Sequence, residues 1–305
     1  MLHVRKIQFS YRDQPTIHSL SFSLEQGKTL AVIGESGCGK STLLQLIYGL
    51  YDLDEGQIFW NDQEVLGPKY HLIPGMEYMK YLAQDFDLMP FITVAENVGK
   101  YLSNIDPERK HKRVMELLET VEMTELAHTK AQFLSGGQLQ RVALARVLAL
   151  EPEVVLLDEP FSHIDNFRKN SLRRKLFHYL KSKNITTIVA THDSTDVLSF
   201  ADSVVVMKAG AILAEGSPID LYASNSPYVA SLFGDLSRYK KEGEWKHAYP
   251  HQLQITTHGI PAQVVQSYFR GSHYFIELQV EDSQVIVEHP LAIDTGMNVF
   301  FNEKP

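Results

Sequence analysis

Eight consecutive residues, Gly34, Glu35, Ser36, Gly37, Cys38, Gly39, Lys40 and Ser41, constrain this chain more than any other stretch. They fit G-x-x-x-x-G-K-[S/T], with Gly34, Gly39, Lys40 and Ser41 at the fixed positions. A triphosphate demands several backbone N–H donors pointing inward together, and glycine lets the chain curl tightly enough to supply them. Lys40 is then placed to reach the β- and γ-phosphates, and the Ser41 hydroxyl to ligate Mg²⁺. The flanks agree. Residues 29–33 (Thr-Leu-Ala-Val-Ile) are a short apolar run suited to a buried strand. Thr42 opens residues 42–47, which read as a helix whose N-terminus adds its dipole to the anion site. Strand, loop and helix in this order predict an α/β fold built around a nucleotide.

Other strand ends carry chemistry as well. Residues 154–157 (Val-Val-Leu-Leu) form a core strand that ends in Asp158 and Glu159. In a protein with a phosphate loop, the carboxyl ends of parallel strands are where the ligand sits. Asp158 is the natural anchor for Mg²⁺, and Glu159 can take a proton from an attacking water. A second apolar strand, residues 185–190, runs into Thr191 and His192, which makes His192 a candidate phosphate contact. The strand over residues 78–83 ends at Gln84. Tyr11 is either a half-buried strand aromatic or a ring that stacks on the base. Thr93 and Glu96 stand at capping-box spacing ahead of a helix, and residues 107–121 form a surface helix whose basic cluster reads as solvated. Residues 134–138 (Leu-Ser-Gly-Gly-Gln) open another periodic helix, and a Ser-Gly-Gly turn is itself an anion-binding device. Two such helix starts exceed what a single site needs.

The bulk figures narrow the partners. Asp and Glu outnumber Lys and Arg by 37 to 29, a net charge of −8, which is a poor footprint for nucleic acid or anionic lipid. One cysteine, Cys38, leaves no disulfide to form within the chain. The N-terminus lacks the apolar core of a signal peptide, and no run approaches the roughly 20 apolar residues of a membrane span. No direct membrane insertion is expected, so work at a membrane would require another protein to hold this one there.

Over residues 1 to about 235 the motifs stand in an order that resembles the ATP-binding cassette (ABC) ATPases. Residues 34–41 are similar to the Walker A loop, Gln84 to the Q-loop glutamine and residues 134–138 to the family signature. Residues 154–158 resemble Walker B, followed by the catalytic glutamate Glu159, the D-loop aspartate Asp165, the H-loop histidine His192 and the A-loop aromatic Tyr11. His163 departs from the pattern, because the D-loop commonly has a small residue there. The resemblance implies a P-loop cassette with an antiparallel β subdomain and a helical signature subdomain. It also implies a head-to-tail dimer in which Ser135, Gly136, Gly137 and Gln138 of one copy close over ATP held by the other's Walker A residues and Thr42. Glu159 would then be the base, with Lys40, His192 and Mg²⁺ stabilising charge and Gln84 contacting metal and water. The ion's ligands would be Ser41, Gln84 and Asp158.

Residues 238–251 read as a charged, aromatic linker, and residues 252–305 as a small all-β, barrel-like domain. In position and pattern this tail resembles the oligomer-binding-like accessory (TOBE) domain of importers for oxyanions, iron(III) or polyamines. The expected division is therefore a cassette over 1–237, a linker over 238–251 and the accessory domain over 252–305. The role implied is the ATPase of an importer, peripheral on the cytoplasmic face of the cell membrane through transmembrane permease subunits and served by a substrate-binding protein. An exporter or lipid-extracting complex, or a soluble cassette protein, is the alternative, against which the tail and the single cassette count. A phosphate-loop kinase is disfavoured by residues 135–138.

Overall fold

The computed structural model describes residues 1–83, 85–281 and 283–304. They divide into two compact units, Met1–Leu221 and Tyr222–Pro305.

The first unit runs β1 (Leu2–Tyr11), β2 (Gln14–Leu24), β3 (Thr29–Ile33), α1 (Lys40–Tyr48), β4 (Glu55–Trp60), β5 (Gln63–Glu64) and β6 (Met79–Leu82). It continues with α2 (Val94–Val98), α3 (Pro107–Thr120), α4 (Gly136–Leu148), β7 (Val154–Asp158), α5 (Asn166–Ser182), β8 (Thr186–Thr191) and α6 (Ser194–Phe200). Strands β9 (Ser203–Lys208) and β10 (Ala211–Gly216) follow, then α7 (Pro218–Tyr222) at the border. Two sheets result. One is antiparallel, in the order β2-β1-β4-β5; the other has the order β10-β9-β3-β8-β7-β6 and is parallel except for β10.

The second sheet is covered on both faces, which is why its strands are apolar throughout and not alternating. In β7, Val154 and Leu156 join the core shared with β1, β2, β4 and α1, where Leu43, Leu44 and Ile47 are buried. Val155 and Leu157 face the opposite way, into a core with Leu117 and Leu118 of α3, Val142 and Leu144 of α4, and Leu172 and Leu176 of α5. The helix starts follow local chemistry. Asp106 accepts the Arg109 N–H ahead of Pro107, and Thr93 and Glu96 close a reciprocal capping box on α2. In the basic cluster Arg109, His111 and Lys112 are exposed, but Arg113 bonds the carbonyls of Leu148 and Ala149 and so ends α4.

The second unit adds α8 (Pro227–Ser231), β11 (Ser237–Lys241), β12 (Glu244–Ala248), β13 (Leu253–Thr256), β14 (Ile260–Phe269), β15 (Tyr274–Val280), β16 (Ser283–His289) and β17 (Asn298–Glu303). Five strands form an antiparallel sheet in the order β13-β17-β14-β15-β16. A bulge between Val264 and Gln266 bends β14, and the outer strands β13 and β16 approach each other, giving the barrel-like form expected of the tail. The stretch expected as a linker carries strand pairing. Residues 237–248 pair as the hairpin β11–β12, with Tyr239 and Ala248 buried in the same core as Val264, Ile276 and Phe301.

Candidate nucleotide site

Strands β3, β8 and β7 are neighbours, with Ile33 opposite Thr191 and Asp158 opposite Ala190. The next residues along the chain, Gly34, Glu159 and His192, therefore leave the sheet side by side at its carboxyl edge.

Gly34 to Ser41 wrap into α1 with Gly37 at φ +79° and Gly39 at φ +105°, conformations that favour glycine. Gly39 stands at the helix N-cap and offers no side-chain oxygen, so the first N–H groups of α1 are left to a ligand. Lys40 is buried, and its Nζ donates to the carbonyls of Gly34 (2.7 Å) and Glu35 (3.0 Å). Glu35, Ser36 and Gly37 are exposed at the crest, and Thr42 is buried. Cys38 is buried too, and burial raises its thiol pKa. Tyr11 stands at the end of β1, with its hydroxyl 3.2 Å from Gln45 Oε1 and 3.4 Å from Thr42 Oγ1. Phe9 and Tyr51 meet its ring edge-on at 4.8 and 5.5 Å.

Asp158 lies beneath the loop, 2% exposed. Burial pushes its carboxyl pKa up, against the nearby hydroxyls of Ser41 and Tyr81. Tyr81 OH donates to Oδ2 at 3.1 Å. Among the described residues Oδ1 has no hydrogen-bond partner. A buried carboxylate oxygen in that condition is costly unless a cation or water takes its lone pairs. An orphan carboxylate oxygen beside a serine hydroxyl is a hard oxygen donor set that suits Mg²⁺, so the residues fit the ion. Gln84, the third expected ligand, lies outside the described residues.

Glu159 follows at φ +49°, unusual for a residue with a Cβ, and its carboxylate receives His192 Nδ1 at 2.8 and 2.9 Å. Behind His192 is a network that sequence reasoning missed. Arg173 of α5, buried, donates Nε to Asp196 Oδ1 (2.5 Å) and bonds Asp193 through Nη2. Thr191 Oγ1 donates to Asp196 Oδ2 at 2.8 Å and accepts the Asp193 N–H at 3.0 Å. Burial raises the Asp196 carboxyl to about 6, despite Arg173. Burial also pushes Asp193 upward, but hydrogen bonds from Arg173 and Thr195 outweigh it and hold it below the usual carboxylate range. A basic residue on a basic helix gave no sign that it would turn inward.

The signature residues form a second place. Ser135 caps α4 through a capping box with Gln138, whose Oε1 accepts the Ser135 N–H at 2.8 Å. Space around Gly136 is open, whereas a Cβ on Gly137 would come within 2.6 Å of His163 O. The four residues border a concavity of about 370 Å³ with His163, the exposed Asp165 and Arg168. Lys40, Ser41, Asp158, Glu159 and His192 thus gather at one sheet edge, and Ser135 to Gln138 at the start of α4. Gln140, also missed, joins α4 to the turn after β7, donating to Glu159 O (2.9 Å) and accepting from His163 N (3.0 Å). A polar residue on the apolar side of a periodic helix was its only signal.

Fold and site together define a phosphate-loop cassette: a parallel sheet with the loop, a carboxylate pair and a histidine at one edge, and a separate Ser-Gly-Gly helix start. Residues 17–162 match the family model described as ABC transporter. The chain is 33% identical over 307 residues to the sulfate/thiosulfate import ATP-binding protein CysA of Synechococcus elongatus, covering 94% of this chain and 88% of that one. It is 38% identical over 234 residues to the Fe(3+) ions import ATP-binding protein FbpC of Pseudomonas fluorescens, covering 76% of this chain and 66%, just under two thirds, of that one. Among solved structures, the ATP-binding cassette MJ0796 in a dimeric post-hydrolysis state with ADP and Pi aligns at TM-score 0.63 and 26% identity, covering 72% of this chain and 99% of that one. The chain belongs to the ABC transporter family, among its ATP-binding proteins.

Proposed function

We propose that this chain is the ATP-hydrolysing subunit of a membrane importer. The observation that carries the reading is the gathering of Lys40, Ser41, Asp158, Glu159 and His192 at one edge, apart from the Ser135 helix start. Two copies paired head to tail would bring each signature over the other's phosphate loop, and the dimeric state of a structural relative supports that arrangement.

ATP would lie along residues 34–42, its phosphates taking the free N–H groups of α1 and the Lys40 ammonium, and its base against Tyr11. Asp158 and Ser41, with Gln84, would hold Mg²⁺, which when bound neutralises phosphate charge. Glu159 accepts a proton from water as the water oxygen bonds the γ-phosphorus. The bond from γ-phosphorus to the β,γ-bridging oxygen breaks, and ADP and phosphate leave. His192, its Nδ1 bonded to Glu159, orients that carboxylate beside the γ-phosphate. Ser135 and Gly137 reach in from the paired copy, and Asp165 lies where the copies meet.

No helix among the described residues is long and apolar enough to cross a membrane. Coupling would therefore run through separate permease subunits on the cytoplasmic face, with a substrate-binding protein presenting the cargo. The relatives' names carry different cargoes, Fe(3+) and sulfate/thiosulfate, so the likeness supports an importer and not one cargo. The all-β tail supports an accessory TOBE-like domain.

Glu159→Gln tests the reading. It should bind Mg-ATP about as tightly as the wild type and lose about 100-fold or more in turnover. It should also accumulate an ATP-dependent dimer on size exclusion. Undiminished turnover would remove Glu159 as the base.

A further inference from the structure

The left-handed backbone of Glu159 needs something to hold it. Its carbonyl accepts from Gln140 Nε2 at 2.9 Å, Ser162 Oγ at 3.1 Å and Ser162 N at 3.2 Å. Ser162 has one hydroxyl proton, and it is directed to that carbonyl. Ser162 Oγ also lies 3.0 Å from His163 Nδ1 and accepts from Gln140 Nε2 at 3.3 Å, so the imidazole shares a hydrogen bond with the hydroxyl that meets Glu159. Gln140 Oε1 receives the His163 N–H at 3.0 Å, which fastens the same turn from the other side. The imidazole also meets Phe86 edge-on, with ring centroids 5.6 Å apart and planes at 84°. Phe86 is anchored in turn, its carbonyl accepting Arg146 Nη2 at 3.0 Å.

We propose that His163 is a positioning residue for hydrolysis: the hydrogen bond at Nδ1 fixes Ser162, and so the turn that presents Glu159, while the ring ties that turn to the segment after Gln84. A small residue, which the D-loops this segment resembles commonly have here, could do neither. The inference rests on the ATPase reading above. It makes the set of Glu159 responsive to movement of residues 85–87, so that whatever displaces Phe86 also releases the turn.

Steady-state ATPase assays of the full chain test it. His163→Ala should lower kcat about tenfold and leave KM for ATP within about twofold. His163→Asn keeps an N–H toward Ser162 and should recover most of kcat. His163→Phe keeps a ring on Phe86 but no donor, and should not. Unchanged kcat in His163→Ala, or recovery by Phe and not by Asn, overturns the proposal. So does a loss repaired by raising protein concentration, which would make His163 a contact between copies. Hydrogen exchange supplies a readout that needs no turnover: the Ser162 amide, which donates to Glu159 O, should exchange about tenfold faster in nucleotide-free His163→Ala. Unchanged exchange overturns the positioning role. A wild-type chain that hydrolysed no ATP would refute the ATPase reading instead, and the exchange comparison would still decide the geometry.

Discussion

Asp158 is where stability and chemistry pull apart within one side chain. Its carboxylate is buried, one oxygen lacks a hydrogen bond among the described residues, and burial raises its pKa. The charged form is therefore penalised in the fold, a cost that a bound cation would offset. Asp158→Asn should raise the stability of the nucleotide-free protein by about 1 kcal/mol, because the amide oxygen can still accept from Tyr81. The same change should abolish the magnesium dependence of ATP binding, read by nucleotide titration with and without the ion. Lys40→Ala makes the complementary case. Among the described residues Lys40 hydrogen-bonds only backbone carbonyls of its own loop, so its loss should leave the melting temperature nearly unchanged. ATP affinity should fall about tenfold or more in the same titration. Both residues were legible in the sequence, since a phosphate loop and a strand ending in carboxylates are local patterns. Tyr81 was not, because its link to Asp158 exists only once β6 and β7 pair.

At the scale of elements, the loop carrying His192 is held by a buried charge network joining α5, β8 and α6. Arg173 faces Asp193, Asp196 and the ring of Phe161, and its removal would strand two carboxylates. Arg173→Ala should cost about 3–5 kcal/mol in denaturant unfolding, with His192 losing its place before the sheet melts. The pH dependence has a definite sign. Asp196 titrates at about 6 in the fold against 3.8 without it, burial being the main cause. The fold thus favours the protonated form: its advantage is complete below about pH 4 and is lost as pH rises through about 6. The gap corresponds to about 3 kcal/mol. Asp193, held below 3.8, acts in the opposite sense and only at lower pH. Asp196→Asn should therefore flatten the stability profile between pH 4 and 6 relative to the wild type, read from urea midpoints across that window. The elements themselves were plain in the sequence: α5 follows from its length and β8 from its apolar run. Which of the basic residues of α5 turns inward was not, because helical spacing gives a face and not its partner.

For the whole chain, the division at Leu221 and Tyr222 puts residues 238–251 within the second unit. Charge concealed the pattern. Arg238 stacks on Trp245 at 3.9 Å, and these outward residues dominate the composition, while Ser237 and Tyr239 alternate inward. The turn signal was present as Glu242-Gly243, both at positive φ (53° and 84°), the geometry of a two-residue hairpin. Tyr239 is 1% exposed and its hydroxyl donates to Glu303 Oε1 at 2.6 Å, so the hairpin closes the tail's core between its first and last strands. A fragment of residues 252–305 lacks that closure and should be less stable than residues 222–305 by about 3–5 kcal/mol, the usual cost of losing a buried aromatic. A chain ending at residue 240 keeps Tyr239 without Ala248, Phe301 or Glu303 to cover it. It should bind a hydrophobic dye and aggregate, whereas residues 1–221 should melt cooperatively, as read by circular dichroism. A clean, dye-free fragment ending at residue 240, alongside an undiminished 252–305, would return the hairpin to the status of a tether.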